Sequence, residues 1–178
     1  PSDDPVSAQQ VLNLKGLMAA TDQYSRNIQT GTTWLNQMDA TMSNMNNVLT
    51  RAKELATQMA NGSYSADDRK SAAVEVTQLR EQMISLGNTQ IAGKYVFGGF
   101  GSDQPPFDPS GNFIGTDDAV NIQIDQGSQI AINYNGGDLL RGGIPPAPQG
   151  SSAPVDIIGT LTDLATALNA NNVSGLPG

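Results

Sequence analysis

Between Leu14 and Met59 one series of positions recurs three and four residues apart without a slip: Leu14, Leu17, Thr21, Tyr24, Ile28, Gly31, Leu35, Met38, Met42, Met45, Leu49, Ala52, Ala56 and Met59. All but Thr21 and Gly31 are Leu, Ile, Met, Tyr or Ala. A 3.5-residue repeat held this long describes a helix that packs one edge along a partner. Trp34, Val48 and Leu55, with the polar Thr41 among them, fall seven apart on a flanking row and widen the stripe. Gly31 stands among Thr30, Thr32 and Thr33, which suits a helix end, but the phase from Ile28 to Leu35 is kept. The helix is therefore read straight through Gly31, at a cost of about 1 kcal/mol relative to alanine. It runs from about Pro5 to Asn61, roughly 85 Å long, with Asp4 as N-cap and Pro5 in the first turn.

Asn61-Gly62-Ser63 stops this helix and turns the chain. Ser65 with Asp68 three residues on reads as a capping box with Asp in place of Glu. A second helix, about 65–91, carries Ala72, Val76, Leu79, Met83, Leu86 and Gln90 on one face. The short turn makes it fold back antiparallel on the first. It is too short to cover the whole stripe, so the seam toward Leu14 and Leu17 wants another partner.

The character of the chain changes near residue 95. Residues 1–94 hold 8 basic and 9 acidic side chains, whereas 95–178 hold Arg141 against 8 acidic ones, with 14 of the 19 Gly and 8 of the 10 Pro. Val120, Ile122 and Ile124 alternate with polar residues, as do Ile130, Ile132 and Tyr134 apart from Ala131; this predicts a hairpin with one buried face. Tyr95-Val96-Phe97 and Phe113-Ile114 add strands to one sheet of three to five, and Asn135-Gly136-Gly137 reads as a turn. Residues 144–154 are a Pro-rich linker. Asp156 then caps a short helix bearing Ile157, Leu161, Leu164 and Leu168. The predicted fold class is α+β: a long antiparallel helical hairpin, or rod, with a small mainly antiparallel β domain and a short third helix. The domains are 1–100, 101–153 and 154–178, the last returning to the rod.

The same residues exclude most chemistry. The chain has no Cys and no His, which removes thiol nucleophiles, His-based triads, disulfides and the usual structural zinc sites. A net charge of −8 argues against a nucleic-acid partner. No apolar run approaches a membrane span. The adjacent pairs Asp3-Asp4, Asp67-Asp68 and Asp117-Asp118 do not face each other on regular structure and suit capping or solvation. Gly98-Gly99-Phe100-Gly101 lacks the lysine of a phosphate loop and reads as a flexible junction. Residues 117–125 lack EF-hand spacing. No catalytic residue, cofactor or small-molecule substrate is assigned. Asn and Gln number 29, many beside the seam, and such a weakly charged face suits lateral packing between subunits.

In order along the chain, Ser2-Asp3-Asp4-Pro5-Val6, Arg26-Asn27, Trp34-Leu35, Arg51-Ala52-Lys53-Glu54-Leu55-Ala56, Ala60-Asn61-Gly62, Asn88-Thr89-Gln90, Gly93-Lys94-Tyr95-Val96-Phe97-Gly98-Gly99 and Pro105-Pro106-Phe107 resemble the hook-filament junction proteins of bacterial flagella, the hook-associated protein 3 family. The resemblance implies a non-enzymatic adapter subunit, exported to the flagellum without a cleaved signal peptide. Its partners would be the preceding hook-associated protein, flagellin, its own copies in a ring and an export chaperone. It implies structural roles for Ser2, Asp3, Asp4, Pro5, Asn61, Gly62, Gly98 and Gly99. The stripe residues Leu14, Leu17, Tyr24, Ile28, Leu35, Met38, Met42 and Met45 are expected at the partner interface. The family's outer helices at both ends are missing from this stretch, which is read as a core fragment. A flagellin-like filament subunit and an acidic extracellular binding module are the alternative readings.

Overall fold

A computed structural model describes residues 5–142 and 155–172. Helix α1 spans Pro5–Met59 without a break, about 82 Å at 1.5 Å per residue. Helix α2, Ala66–Gly87, folds back along its second half. Between them, Asn61 N donates to Gln58 O and Tyr64 N to Asn61 O, closing a tight turn. The capping box forms as the sequence indicates: Ser65 Oγ accepts from Asp68 N, and Ser65 N donates to the Asp68 carboxylate at 2.9 Å. Helix α2 ends four residues before the expected boundary, because Asn88 caps it and Gln90 leaves to begin a strand.

The β region is sparser than the sequence predicts. Two separate two-stranded antiparallel ladders replace one larger sheet: β1, Gln90–Ile91, with β2, Lys94–Tyr95, and β3, Asn121–Asp125, with β4, Ser128–Ala131. Phe113 makes one isolated bridge, to Phe107. The backbone of Phe107 is instead held by a side chain. Asn88 Nδ2 donates to Phe107 O at 2.9 Å, and Phe107 N donates to Asn88 Oδ1 at 3.0 Å, so one amide does the work of a neighbouring strand. Asn135-Gly136-Gly137, read as a turn, begins helix α3, Gly136–Arg141, with Asn135 as N-cap and Gly142 in the left-handed region. The expected third helix is thus the fourth, α4, Ile157–Asn169, capped by Asp156 as the sequence indicates. Its buried face is Ile158, Leu161, Leu164 and Leu168, with Ile157 at the edge.

One hydrophobic core joins these parts. The second half of α1, with α2 and α4, forms its helical layer, and Val96, Phe97, Phe107 and Leu140 close its end. Phe107 and Leu140, beyond residue 100, thus share the cluster with the helices. Glycines permit the closest approaches: a Cβ on Gly87 would lie 2.8 Å from the Phe107 ring.

Two carboxylates tune the acid limb of stability. Hydrogen bonds from the side chain and then the backbone of Ser65 hold Asp68 below its ordinary pKa, and those from Asn112 do the same for Asp108. A depressed folded pKa contributes stability that is complete above the unfolded value, about pH 4, and is lost as pH falls through the folded value. Thermal unfolding followed by circular dichroism should show a midpoint flat from about pH 7 to 5 and falling below about pH 4. The Asp68→Asn/Asp108→Asn chain should show a shallower acid limb.

Candidate functional site

The candidate site lies on the surface of the long helix. Among the described residues no group of three or more His, Cys, Asp or Glu stands where it could hold a metal ion, and no helix is long and apolar enough to cross a membrane. The open groove between α2 and α4, about 440 Å³, is bordered by Lys70, Val74 and Arg80. Arg80 is already committed there, Nε donating to Thr162 Oγ1 at 2.8 Å and Nη2 to Ser110 O.

The long helix presents a different picture. Its seam divides into two rows, and from Gly31 onward the fold buries one of them fully and the other only in part. Gly31, Met38, Met45, Ala52 and Met59 are buried, and beside them Thr41, Val48 and Leu55, with Trp34 partly so. This buried stripe alternates three and four, but it is rotated toward the flank that the sequence pattern treats as secondary. Thr41 fits because its Oγ1 donates to Gln37 O at 2.8 Å, so its hydroxyl enters the core satisfied. Met38 and Met45, expected at a partner interface, are instead 1% and 4% exposed against the chain's own core. The helices of the core approach from that side and leave no surface there for another subunit.

The other row stays open in the first half of the helix, while Leu49 and Ala56 pack partly on the core. Leu14, Ile28 and Leu35 are 59%, 48% and 38% exposed, and Met42 and Leu49 are half-buried. Leu17 is 62% exposed, and Tyr24 is half-buried. Val11, Leu12 and Met18, which the pattern missed because they lie off the seam, are also at least half exposed. Leu14, Leu17, Ile28 and Leu35 thus line one edge of the first half of α1 with nothing from the described residues sealing them, while Leu12 faces the other side. Exposed apolar residues gathered on one face mark contact sites in soluble proteins.

The β3–β4 hairpin sits on the same helix. Ile122 and Ile132 pack over Gly31, where an added Cβ would meet Ile122 Cδ1 at 2.4 Å and Ile132 Cγ2 at 3.2 Å. Asn27 Nδ2 donates to Gln123 O at 2.8 Å. Ile132 is buried, whereas Ile130 and Tyr134 are 47% and 59% exposed, so the hairpin's apolar face is only partly covered. The glycine in the helix is thereby explained: it seats the hairpin. Gly31→Ala should be near neutral, since about 1 kcal/mol of helix propensity offsets a contact with the mobile end of Ile122. Gly31→Leu should displace the hairpin at about 1–3 kcal/mol. Amide exchange should then show residues 120–132 losing protection while α2 and α4 keep theirs.

The remaining motif positions divide. Pro5 opens α1, and Ser2, Asp3 and Asp4 lie outside the described residues, as does the 144–154 linker. Asn61 and Gly62 form the exposed turn, where Gly62 has open space around it and no positive φ. Gly98 and Gly99 are buried in a bonded turn, not a flexible junction: Thr116 N donates to Gly98 O at 3.2 Å, and Phe100 N to Thr116 Oγ1 at 2.9 Å. Arg69 was not singled out by sequence, although it stands on the α2 stripe three residues before Ala72. It is 5% exposed and ties three helix ends together.

Comparison with known proteins agrees with this architecture. Residues 1–101 match the model of the bacterial flagellin N-terminal helical region. Flagellar hook-associated protein 3 of Salmonella typhimurium is 29% identical over 182 residues, covering 97% of this chain and 57% of that protein. The chain thus spans little more than half the length of that curated relative. The crystal structure of flagellar hook-associated protein 3 from Legionella pneumophila superposes with a TM-score of 0.68 at 27% identity, covering 73% of this chain and 41% of that one. A putative flagellar hook-associated protein from Vibrio parahaemolyticus shares the fold, with a TM-score of 0.82 at 20% identity over 98% of this chain and 77% of that one. An unbroken α1, its antiparallel partner and a match over more than half the residues lead to one conclusion: the chain belongs to the family of proteins built on the bacterial flagellin N-terminal helical region.

Proposed function

We propose that this protein is a structural adapter at the hook-filament junction of the bacterial flagellum, joining the preceding hook-associated protein to flagellin, and that it catalyses no reaction. The observation that carries this reading is the open apolar edge on the first half of α1, Leu14, Leu17, Ile28 and Leu35, on a helix about 82 Å long. A lone subunit gains nothing by exposing such an edge; packed against neighbours, it removes apolar surface from water at about 25 cal/mol per Å². The names of the relatives give the surface its setting. The neighbours would be other axial subunits and copies of the same chain in a ring, reached by export through the flagellum without a cleaved signal peptide and with a dedicated chaperone. Leu14, Leu17, Tyr24, Ile28, Leu35 and Met42 would line the contacts.

The test is assembly. Hooks bearing the preceding hook-associated protein are supplied with this protein at the length of its curated relatives, and then with flagellin. The adapter reading expects the protein on hook tips and filament growth only from tips that carry it. Bare tips with no gain in filament growth would remove the reading.

A further inference from the structure

We propose that Asn61 is a site of self-catalysed deamidation in the folded protein, and that Asn135, the other Asn-Gly pair, is protected by the fold. The two sites share one feature: each asparagine Oδ1 accepts from the amide two residues on, Ser63 N at 3.0 Å and Gly137 N at 2.7 Å. They differ in the atoms that must react. Gly62 N has no hydrogen-bond acceptor among the described residues, and both Asn61 and Gly62 are exposed. Gly136 N is spent on Phe97 O at 3.2 Å, and Gly136 is buried. Asn135 Nδ2 is likewise held, donating to Asp117 Oδ1 at 2.6 Å.

The step uses only water. Gly62 N–H gives its proton to a solvent base, and the nitrogen lone pair attacks Asn61 Cγ. The charge gathered on Oδ1 is met by two donors, Ser63 N and Ser63 Oγ, the latter at 2.9 Å. Nδ2 takes a proton from water and leaves as ammonia, closing a five-membered imide. Water then opens either carbonyl–nitrogen bond of the ring, leaving aspartate or isoaspartate at position 61. The sum is amide plus water giving acid plus ammonia, with no oxidation or reduction. The new carboxylate sits beside Arg69, whose Nη2 donates to Asn61 O at 3.0 Å, so the folded chain tolerates a negative charge that a helix C-terminus otherwise disfavours.

Nothing in the fold requires glycine at position 62, since a Cβ there meets no atom within 4 Å and φ is ordinary. Gly62→Ala therefore tests the chemistry without disturbing the structure. The protein is held in mildly alkaline buffer for days, native or in urea, and digested with trypsin. Fragment mass spectra follow peptide 54–69, which contains Asn61, and peptide 95–141, which contains Asn135. In the native protein Asn61 should convert on the order of tenfold faster than Asn135, and in urea the two rates should converge. Gly62→Ala should slow position 61 on the order of tenfold, equivalent to about 1.4 kcal/mol of barrier, with an unchanged melting temperature. Equal native rates at the two positions, or wild-type conversion in Gly62→Ala, would overturn the proposal.

Discussion

An Arg69→Ala chain is expected to lose about 3 kcal/mol of folding stability, equivalent to a fall in melting temperature of about 6–12 °C for a chain of this size. The guanidinium reaches the ends of two helices at once, α1 and α4. Nε donates to Met59 O at 3.0 Å, a carbonyl that the end of α1 leaves without a helical partner, and Nη2 to Asn61 O at 3.0 Å in the turn beyond it. Nη1 donates to Asn171 Oδ1 at 2.7 Å, just beyond α4, where Asn171 holds a left-handed φ of 53°. Among the described residues no carboxylate is a hydrogen-bond partner of Arg69, so the negative end of α1 supplies the compensating field. Arg69→Met, which keeps the volume and loses the donors, should cost as much as Arg69→Ala. Arg69→Lys should recover less than half, because one ammonium cannot span the fork. Urea denaturation of the three variants decides this; a Met variant as stable as the wild type would make the packing, and not the hydrogen bonds, the source of stability.

The second large effect belongs to Gly99. Its φ is 60°, and an added Cβ would lie 2.3 Å from Thr116 O and 2.5 Å from Thr116 Oγ1. Backbone stands in the way, so relief requires the whole 98–101 turn to leave Thr116. Gly99→Ala should cost about 2–4 kcal/mol. Amide exchange should show lost protection across 98–116, with the helices retained. Gly62→Ala serves as its control and should lie within about 1 kcal/mol of the wild type. Comparable losses in both would contradict the conformational account.

What was legible in the sequence follows from what local patterns encode. The continuity of α1 through Gly31, the Ser65–Asp68 box and the Asp156 cap all depend on residues within a few positions of one another. The side from which the core approaches α1 does not. Periodicity reveals that a stripe exists, but Met38 is core and Leu35 is surface only because α2, α4 and the hairpin arrive on one flank. Thr41 looked like a gap in that flank, since its satisfied hydroxyl cannot be seen in composition. Gly136-Gly137 has the local signature of a turn, and it forms a helix because tertiary packing overrides propensity: a Cβ at Gly137 would lie 2.7 Å from the Phe113 ring. The expected larger sheet failed for a similar reason. Asn88, at the end of a helix, offers Phe107 the hydrogen bonds that a further strand would have supplied.

Under the proposed function, exposure separates the residues needed for folding from those needed for assembly. Leu14 and Leu17 touch little of their own chain, so changing them should leave the monomer intact. The most direct test is therefore Leu14→Asp/Leu17→Asp, measured for melting temperature and for incorporation at hook tips in the same preparation. The account predicts a melting temperature within about 4 °C of the wild type, since exposed substitutions change stability by about 0.5 kcal/mol or less each, together with failure to incorporate. Incorporation at the wild-type level would show that this edge of α1 is not the contact surface.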